Sequence, residues 1–574
     1  MPKSDEFCLK NALMPKVLPR GAFILFFLVL ALGVFGQPDF YHHLTISRAD
    51  SLRGQLRPER TCYDVGYYHL GVSLDIPNRT VYGFSEITYR ILRDFRRLQI
   101  DLFANMAIDS IVQNGVTLAY ERDEDAVFVD FPEGQQTASL VGTIKIYYHG
   151  QPKVAKNPPW DGGFSWTQDS DESPWVLVSC EGIGASLWWP NKDHLSDEPD
   201  SMDIEIVVPD SLMAVSNGIL VSEQKMPDHQ KSYHWHVSYP INNYNVTLYA
   251  GRYAHFHEYY VAMDGDSLDL DYYVLPEHLA KAKQHFAQVH EMLRIYESYL
   301  GKYPFWKDGY ALVESPTLGM EHQGAISYGN KYKRGYLGGR ILKNMDWDYI
   351  IIHESGHEYW GNSVSCNDLA EMWLHEGFTT YMEALYVEKK YDYETAVEYL
   401  LSQKKNIRNH APIVGPKGVH FRPMYSTDQY YKGSWILHSL RNAIDNDSLW
   451  FAIFRGFYEA HALSHATTQD FVTYVNAQTG GDYTAFFEQY LNYARPPKLL
   501  YRLQQRHGKL WCQYKWEADV KGFDMPVRVG RPGHFMRLHP NTKEWKEINL
   551  GKMKTRAFRV DDSGFYVFGE RVGW

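Results

Sequence analysis

Residues 349–362 read YIIIHESGHEYWGN. His353 and His357 are four positions apart. On a helix of about 3.6 residues per turn they stack on one face, and their ring nitrogens can converge on one ion. Glu354 falls to the side of that face, near a bound metal without being its ligand. A general base for a metal-activated water belongs there. Asp346 is the expected N-cap, and Gly361-Asn362 suits the helix end. Ile350, Ile351 and Ile352 speak for a buried turn, against a solvated helix with two surface histidines. A catalytic zinc keeps three protein ligands and one open position. A continuation with Gly at 360 and His at 363 fails, because the chain has Trp360 and Ser363. A carboxylate from a following helix is the other solution. WLHEGFTTYMEAL (373–385) is helical in pattern and offers Glu376, 19 residues after His357. His375 is its rival. About 100° of helix rotation separates the two, so they do not serve the same ion.

Outward from this stretch the periodicity changes. In YDVGYYHLGVSLDI (63–76), Tyr68, Leu70, Val72, Leu74 and Ile76 share one face of a strand. Segments 143–148, 203–208 and 244–250 are also strand-like in their β-branched and aromatic content. Residues 37–260 therefore read as a β-rich domain. From Pro276, the residues Leu279, Ala282, Phe286, Val289, Leu293, Tyr296 and Leu300 recur at helical spacing until Gly301. Helical patterns continue to about residue 495, with a capping-box start at Thr467 and Asp470. Residues 261–495 are the expected catalytic domain. Pro496-Pro497 marks a boundary. Beyond it Leu510, Cys512, Tyr514 and Trp516 alternate, and residues 496–574 read as a small β-sandwich. The fold class is α+β, in several domains.

The N-terminus reads as an address. GAFILFFLVLALGVFG (21–36) follows Lys16 and Arg20, and Val34 and Gly36 fit the −3 and −1 positions of a cleavage site. Residues 1–36 are thus an expected signal peptide, with an uncleaved anchor as the alternative and either Met1 or Met14 as the start. The expected protein is exported, periplasmic or extracellular, with no stable membrane span after cleavage. Cys62, Cys180, Cys366 and Cys512 remain, and spacing does not fix their pairing. The 574 residues are 44% apolar and 15% aromatic, which excludes a disordered chain. A mean hydropathy of −0.42 and a single apolar run exclude a multi-span membrane protein. A formal charge of −11 disfavours nucleic acid as a partner. Oligomeric state stays open.

HESGH, 18 intervening residues and Glu376 within WLHEGF resemble the gluzincin aminopeptidases of the aminopeptidase N and leukotriene hydrolase type. LGMEHQGAISYGN (318–330) resembles that family's exopeptidase signature, with Leu318 for its leading Gly and His322 for its Asn. QYYKGSWILHSL (429–440) resembles its catalytic-tyrosine segment, Tyr-x-Lys-Gly. LWWPNKDHLSDEPDS (187–201), VPDSLMAVSNG (208–218) and PINNYNVTLYAGRY (240–253) resemble its N-terminal domain. His375 stands where many members have Asn. The resemblance implies a short three-domain form: a saddle-like β domain, a thermolysin-like helical catalytic domain and a C-terminal β-sandwich. It implies one Zn2+ per chain, bound by His353, His357 and Glu376. Glu354 is then general base and proton shuttle, and Tyr430, not its neighbour Tyr431, hydrogen-bonds the oxyanion. Glu321 and Glu181 hold the substrate's α-amine, beside Gly319 and Met320. The implied activity is a zinc aminopeptidase acting on peptides with a free N-terminus. The rivals are an epoxide-opening lipid hydrolase of the leukotriene branch, a catalytically silent binding module, and an adhesive aromatic-rich surface protein that needs no zinc.

Overall fold

The computed structural model describes residues 45–339, 342, 345–420 and 426–573. The expected signal peptide lies outside them. Among the described residues no helix is long and apolar enough to cross a membrane.

Tyr63–Asp75 pairs antiparallel with Thr80–Ile91 and parallel with Ser201–Pro209 inside an eight-stranded sheet. Tyr68, Leu70, Val72 and Leu74 are buried, as a period of two requires. Ile76 lies one residue past the strand and is only half-buried. Segments 143–148 and 203–208 are strands of this sheet. Segment 244–250 departs from expectation. Asn243–Asn245 forms a 3-10 turn, and only Leu248–Gly251 is strand. The turn aims side chains inward: Asn245 donates to Asn362 Oδ1 at 2.6 Å, and Tyr244 reaches Glu321. Leu248–Gly251 joins a four-stranded sheet with Met213–Ser216, Pro174–Ser179 and Gly163–Gln168. Glu181 lies just past the end of Pro174–Ser179. Trp188 and Trp189 are fully buried packing residues.

A five-stranded sheet runs Ala254–Val261, Ser267–Val274, Tyr310–Glu314, Ile326–Tyr328 and Gly319–Met320 in spatial order. Its last strand is an edge, and Glu321 follows directly. The long helical pattern after Pro276 is a 3-10 turn and two helices, α1 (Leu279–Phe286) and α2 (Gln288–Leu300), which meet at Ala287. Ala282, Phe286, Val289, Leu293, Tyr296 and Leu300 are buried. Gly301, at φ +98°, ends α2. Three further helices carry the site: α3 (Tyr349–His357), α4 (Trp373–Lys390) and α5 (Asp428–Ile444). The capping box at Thr467 and Asp470 is formed. After Pro497 a four-stranded and a three-stranded sheet share one apolar core with the helical region, and Leu510, Cys512, Tyr514 and Trp516 are buried in it. Cys62, Cys180, Cys366 and Cys512 are all free, buried thiols.

Candidate metal centre and substrate cleft

Asp348, not Asp346, caps α3. Its carboxylate accepts from the Ile350 N–H at 2.9 Å. It also takes Tyr328 OH, His285 Nε2 and Asn330 Nδ2 at 2.8, 2.8 and 2.7 Å. Those three fixed donors select Asp348, while Asp346 accepts from Tyr391 OH at 2.8 Å near the surface. The helix also stops at His357, short of Gly361, which sits at φ +124° in the turn that follows.

At the C-terminal end of α3, His353 Nε2 and His357 Nε2 are 3.2 Å apart. Glu376 Oε2, from the first turn of α4, lies 3.7 Å from the first nitrogen and 3.3 Å from the second. A tetrahedral zinc with bonds of about 2.0–2.1 Å spaces its ligand atoms about 3.3–3.4 Å apart. The three buried donors therefore fit that ion. Among the described residues no other His, Cys, Asp and Glu group converges in this way. His375 is committed elsewhere. Its Nε2 accepts from the Cys366 N–H at 2.8 Å, and burial drives its pKa down to about 3.

Each imidazole is oriented through its other nitrogen. His353 Nδ1 donates to Glu383 Oε1 at 2.7 Å, and Glu383 Oε2 accepts from Tyr399 OH at 2.6 Å and Gln403 Nε2 at 2.8 Å. His357 Nδ1 donates to the Trp360 carbonyl at 3.0 Å, with Thr379 Oγ1 3.2 Å away. In neutral imidazoles held this way the Nε2 atoms are the ones that carry the lone pairs for a metal. Glu376, Thr379 and Glu383 are spaced three and seven residues along α4, on one helix face. The Glu376–Glu383 spacing is visible in the sequence, but sequence reasoning missed Glu383.

Glu354 is buried beside this group. Burial pushes its carboxyl up to about 7, His353 draws it back, and Glu321 adds to the rise. A dication nearby lowers it. Gly319 explains how the carboxylate fits: a Cβ there would lie 2.5 Å from Glu354 Oε1. Gly319 thus makes room for Glu354 from the edge strand. Met320 is 2% exposed, is part of the N-terminal core, and also lines the cleft.

Glu321 is 3% exposed and accepts from Tyr244 OH at 3.2 Å. Burial raises its carboxyl, His357 draws it back, and Glu376 adds to the rise. Glu181 lines the same cleft from the N-terminal sheets. Tyr430, in the first turn of α5, holds its ring 5.9 Å from that of His353 and within 17° of parallel. Tyr431 lines the cleft beside it. The Lys and Gly of the Tyr-x-Lys-Gly segment are structural. Lys432 is buried and donates to the Tyr493 and Ala494 carbonyls at 2.9 Å each. A Cβ on Gly433 would lie 2.8 Å from Gly377 Cα, so this glycine pair lets α4 and α5 touch backbone to backbone. The cleft that collects Glu181, Glu321, Glu354, the converging group of His353, His357 and Glu376, and both tyrosines has a volume of about 510 Å³.

Comparison with known proteins gives the same direction. Residues 285–490 match the Peptidase family M1 domain. Leukotriene A-4 hydrolase of Xenopus laevis is 21% identical over 445 residues, 72% of this chain and 68% of that protein. An M1 zinc metallopeptidase mutant from Deinococcus radiodurans, solved with a Tyr-Ser-Ala substrate, superposes with a TM-score of 0.63. It is 19% identical, over 77% of this chain and 96% of its own. A two-domain M1 zinc metallopeptidase mutant bound to L-tryptophan superposes with a TM-score of 0.63 at 20% identity, over 76% and 94% of the two chains.

Proposed function

We infer that this chain, a zinc peptide hydrolase belonging through residues 285–490 to peptidase family M1, is an aminopeptidase that removes single residues from free peptide N-termini. The observation carrying this reading is Glu321, a buried carboxylate that lines the same cleft as His353, His357 and Glu376. A buried carboxylate needs a cationic partner, and a substrate ammonium supplies one. Glu181 lines the same cleft and adds a second anion for that amine. With the amine anchored there, the scissile bond meets the metal ligands one residue further on. The resemblance of the 318–330 segment to an exopeptidase signature supports this placement.

His353, His357 and Glu376 would hold the zinc, which would supply a water of pKa near about 7 and a Lewis acid for the scissile carbonyl. Glu354 takes the proton of the attacking water and passes it to the leaving amine. Tyr430 donates a hydrogen bond to the oxygen on which negative charge develops. Glu383 and the Trp360 carbonyl keep the imidazoles turned. Met320 and the cleft tyrosines shape the floor on which the first side chain rests.

The test is a panel of aminoacyl chromogenic amides with N-acetylated controls, before and after chelation. Free amides turn over, acetylated ones do not, and chelation abolishes activity. Equal cleavage of both would identify an endopeptidase. Turnover of lipid epoxides without any peptide turnover would favour the hydrolase rival. We place the enzyme outside the cytoplasm on the leader pattern of residues 16–36. N-terminal sequencing of the exported protein checks this, and a start at Gln37 is expected.

A further inference from the structure

The turn that carries Glu181 is held from outside the cleft. The N–H groups of Ile183 and Gly184 close on the Cys180 carbonyl at 3.1 and 2.8 Å. Gly182 and Gly184 take φ of +66° and +95°, which favours glycine at both positions. The carbonyls of the next two residues after Glu181 are each taken by one side chain. The Gly182 carbonyl accepts from His420 Nε2 at 3.2 Å, and the Ile183 carbonyl accepts from Arg53 Nη2.

These donors come from distant parts of the sequence. Arg53 lies in Arg48–Gly54, a helix that precedes the first strand. His420 lies on the catalytic side, in the segment ahead of α5. Arg53 is itself fixed. Asp193 Oδ2 is 3.3 Å from its Nη2, the Phe103 ring lies 5.0 Å beneath its guanidinium, and Arg60 Nη1 donates to its carbonyl at 2.8 Å. Asp193 is tied in turn by the Ser186 N–H at 3.1 Å. The two parts also meet directly. The His420 N–H donates to the Asp50 carbonyl at 2.9 Å, and a Cβ on Gly54 would collide with the Val419 backbone. Arg53 and His420 line a side cavity that meets the catalytic cleft at Glu181 and Gly182, and neither lines the cleft itself.

We propose that Arg53 and His420 are positioning residues for amine recognition: by holding the Gly182 and Ile183 carbonyls they fix where the turn presents the Glu181 carboxylate to the substrate ammonium. The inference rests on the aminopeptidase reading of Glu181. A tight turn has few dihedrals, so two carbonyl anchors suffice to set the position of its side chain. A misplacement of about 1 Å is enough to weaken a charge-assisted contact substantially.

The test is a double-mutant cycle on the zinc-loaded enzyme with an aminoacyl amide. His420→Leu removes one anchor, and His420→Gln keeps a donor. Arg53→Lys keeps a charge beside Asp193 but loses the Nη2 that serves both Asp193 and the Ile183 carbonyl, and it replaces His420→Leu if that variant does not fold. His420→Leu is expected to raise KM about tenfold with kcat within about threefold. His420→Gln restores KM. In a Glu181→Gln background the same substitution changes KM by less than about twofold, because the group it positions is gone. An equal KM rise in both backgrounds overturns the proposal, as does an unchanged KM for both His420→Leu and Arg53→Lys. If Glu181→Gln alone leaves KM unchanged, the amine role of Glu181 fails and takes this proposal with it. If free amides are cleaved no better than acetylated ones, the aminopeptidase reading itself fails. The four results are distinct.

Discussion

Gly319 and Glu354 share one space: a side chain on the first would have its Cβ 2.5 Å from Oε1 of the second. The glycine comes from the edge strand and the glutamate from the metal helix. The strand can therefore approach the Glu354 carboxylate closely only because position 319 has no side chain. Gly319→Ala should displace the Glu354 carboxylate without touching a metal ligand. Turnover should fall by about 10–10², while bound zinc stays near one per chain. Activity assays with metal analysis decide it, and wild-type turnover in this variant would sink the argument.

A second close approach holds α4 against α5. Gly377 and Gly433 face each other, with a Cβ on either placed 2.9 or 2.8 Å from the other's Cα. Gly433→Ala gains about 1 kcal/mol of helix propensity. Forcing two backbones apart costs about 1–3 kcal/mol, so the packing term wins. The variant should unfold at lower denaturant concentration. Its kcat should also drop about tenfold, because Tyr430 lies one turn upstream on the displaced helix. An unchanged kcat would show that α5 can shift without moving its tyrosine.

Glu383 lies outside the converging group of His353, His357 and Glu376 but holds His353 Nδ1 at 2.7 Å. Tyr399 and Gln403 fix its other oxygen, so its position is well determined. Such partners of metal-bound histidines typically contribute a factor of about 10–10² in affinity. Glu383→Gln should weaken zinc binding by that factor in chelator competition, and activity should return when excess zinc is supplied. Glu354→Gln should behave in the opposite way, keeping zinc and losing turnover.

The convergence of His353, His357 and Glu376 was legible in the sequence because a helix has a fixed period. Spacing alone places His353 over His357, and one offset finds Glu376. The same logic could have found Glu383, seven residues further along α4. What spacing could not reveal depends on contacts between distant segments. The cap expected at Asp346 falls instead on Asp348, where Tyr328, His285 and Asn330 converge. Tyr244 looked like a strand residue, yet it leaves the strand to reach Glu321, 77 positions away. The break at Ala287 was hidden because the apolar spacing runs through it without interruption. Arg53, His420 and the glycine pair gave no local signal at all.

Tyr430 and Tyr431 provide a test within one dipeptide. Both line the cleft, and Tyr430 lays its ring nearly parallel to His353, at 5.9 Å. If its hydroxyl serves the developing oxyanion, Tyr430→Phe removes one donor that acts mainly in the transition state. Loss of such a donor costs about 10²–10³ in kcat, and KM should change little because the amine anchors remain. Tyr431→Phe should change kcat by less than about threefold. Steady-state kinetics of the two variants on one aminoacyl amide, with zinc content measured in parallel, separates the neighbours. The reverse ranking would move the oxyanion role to Tyr431.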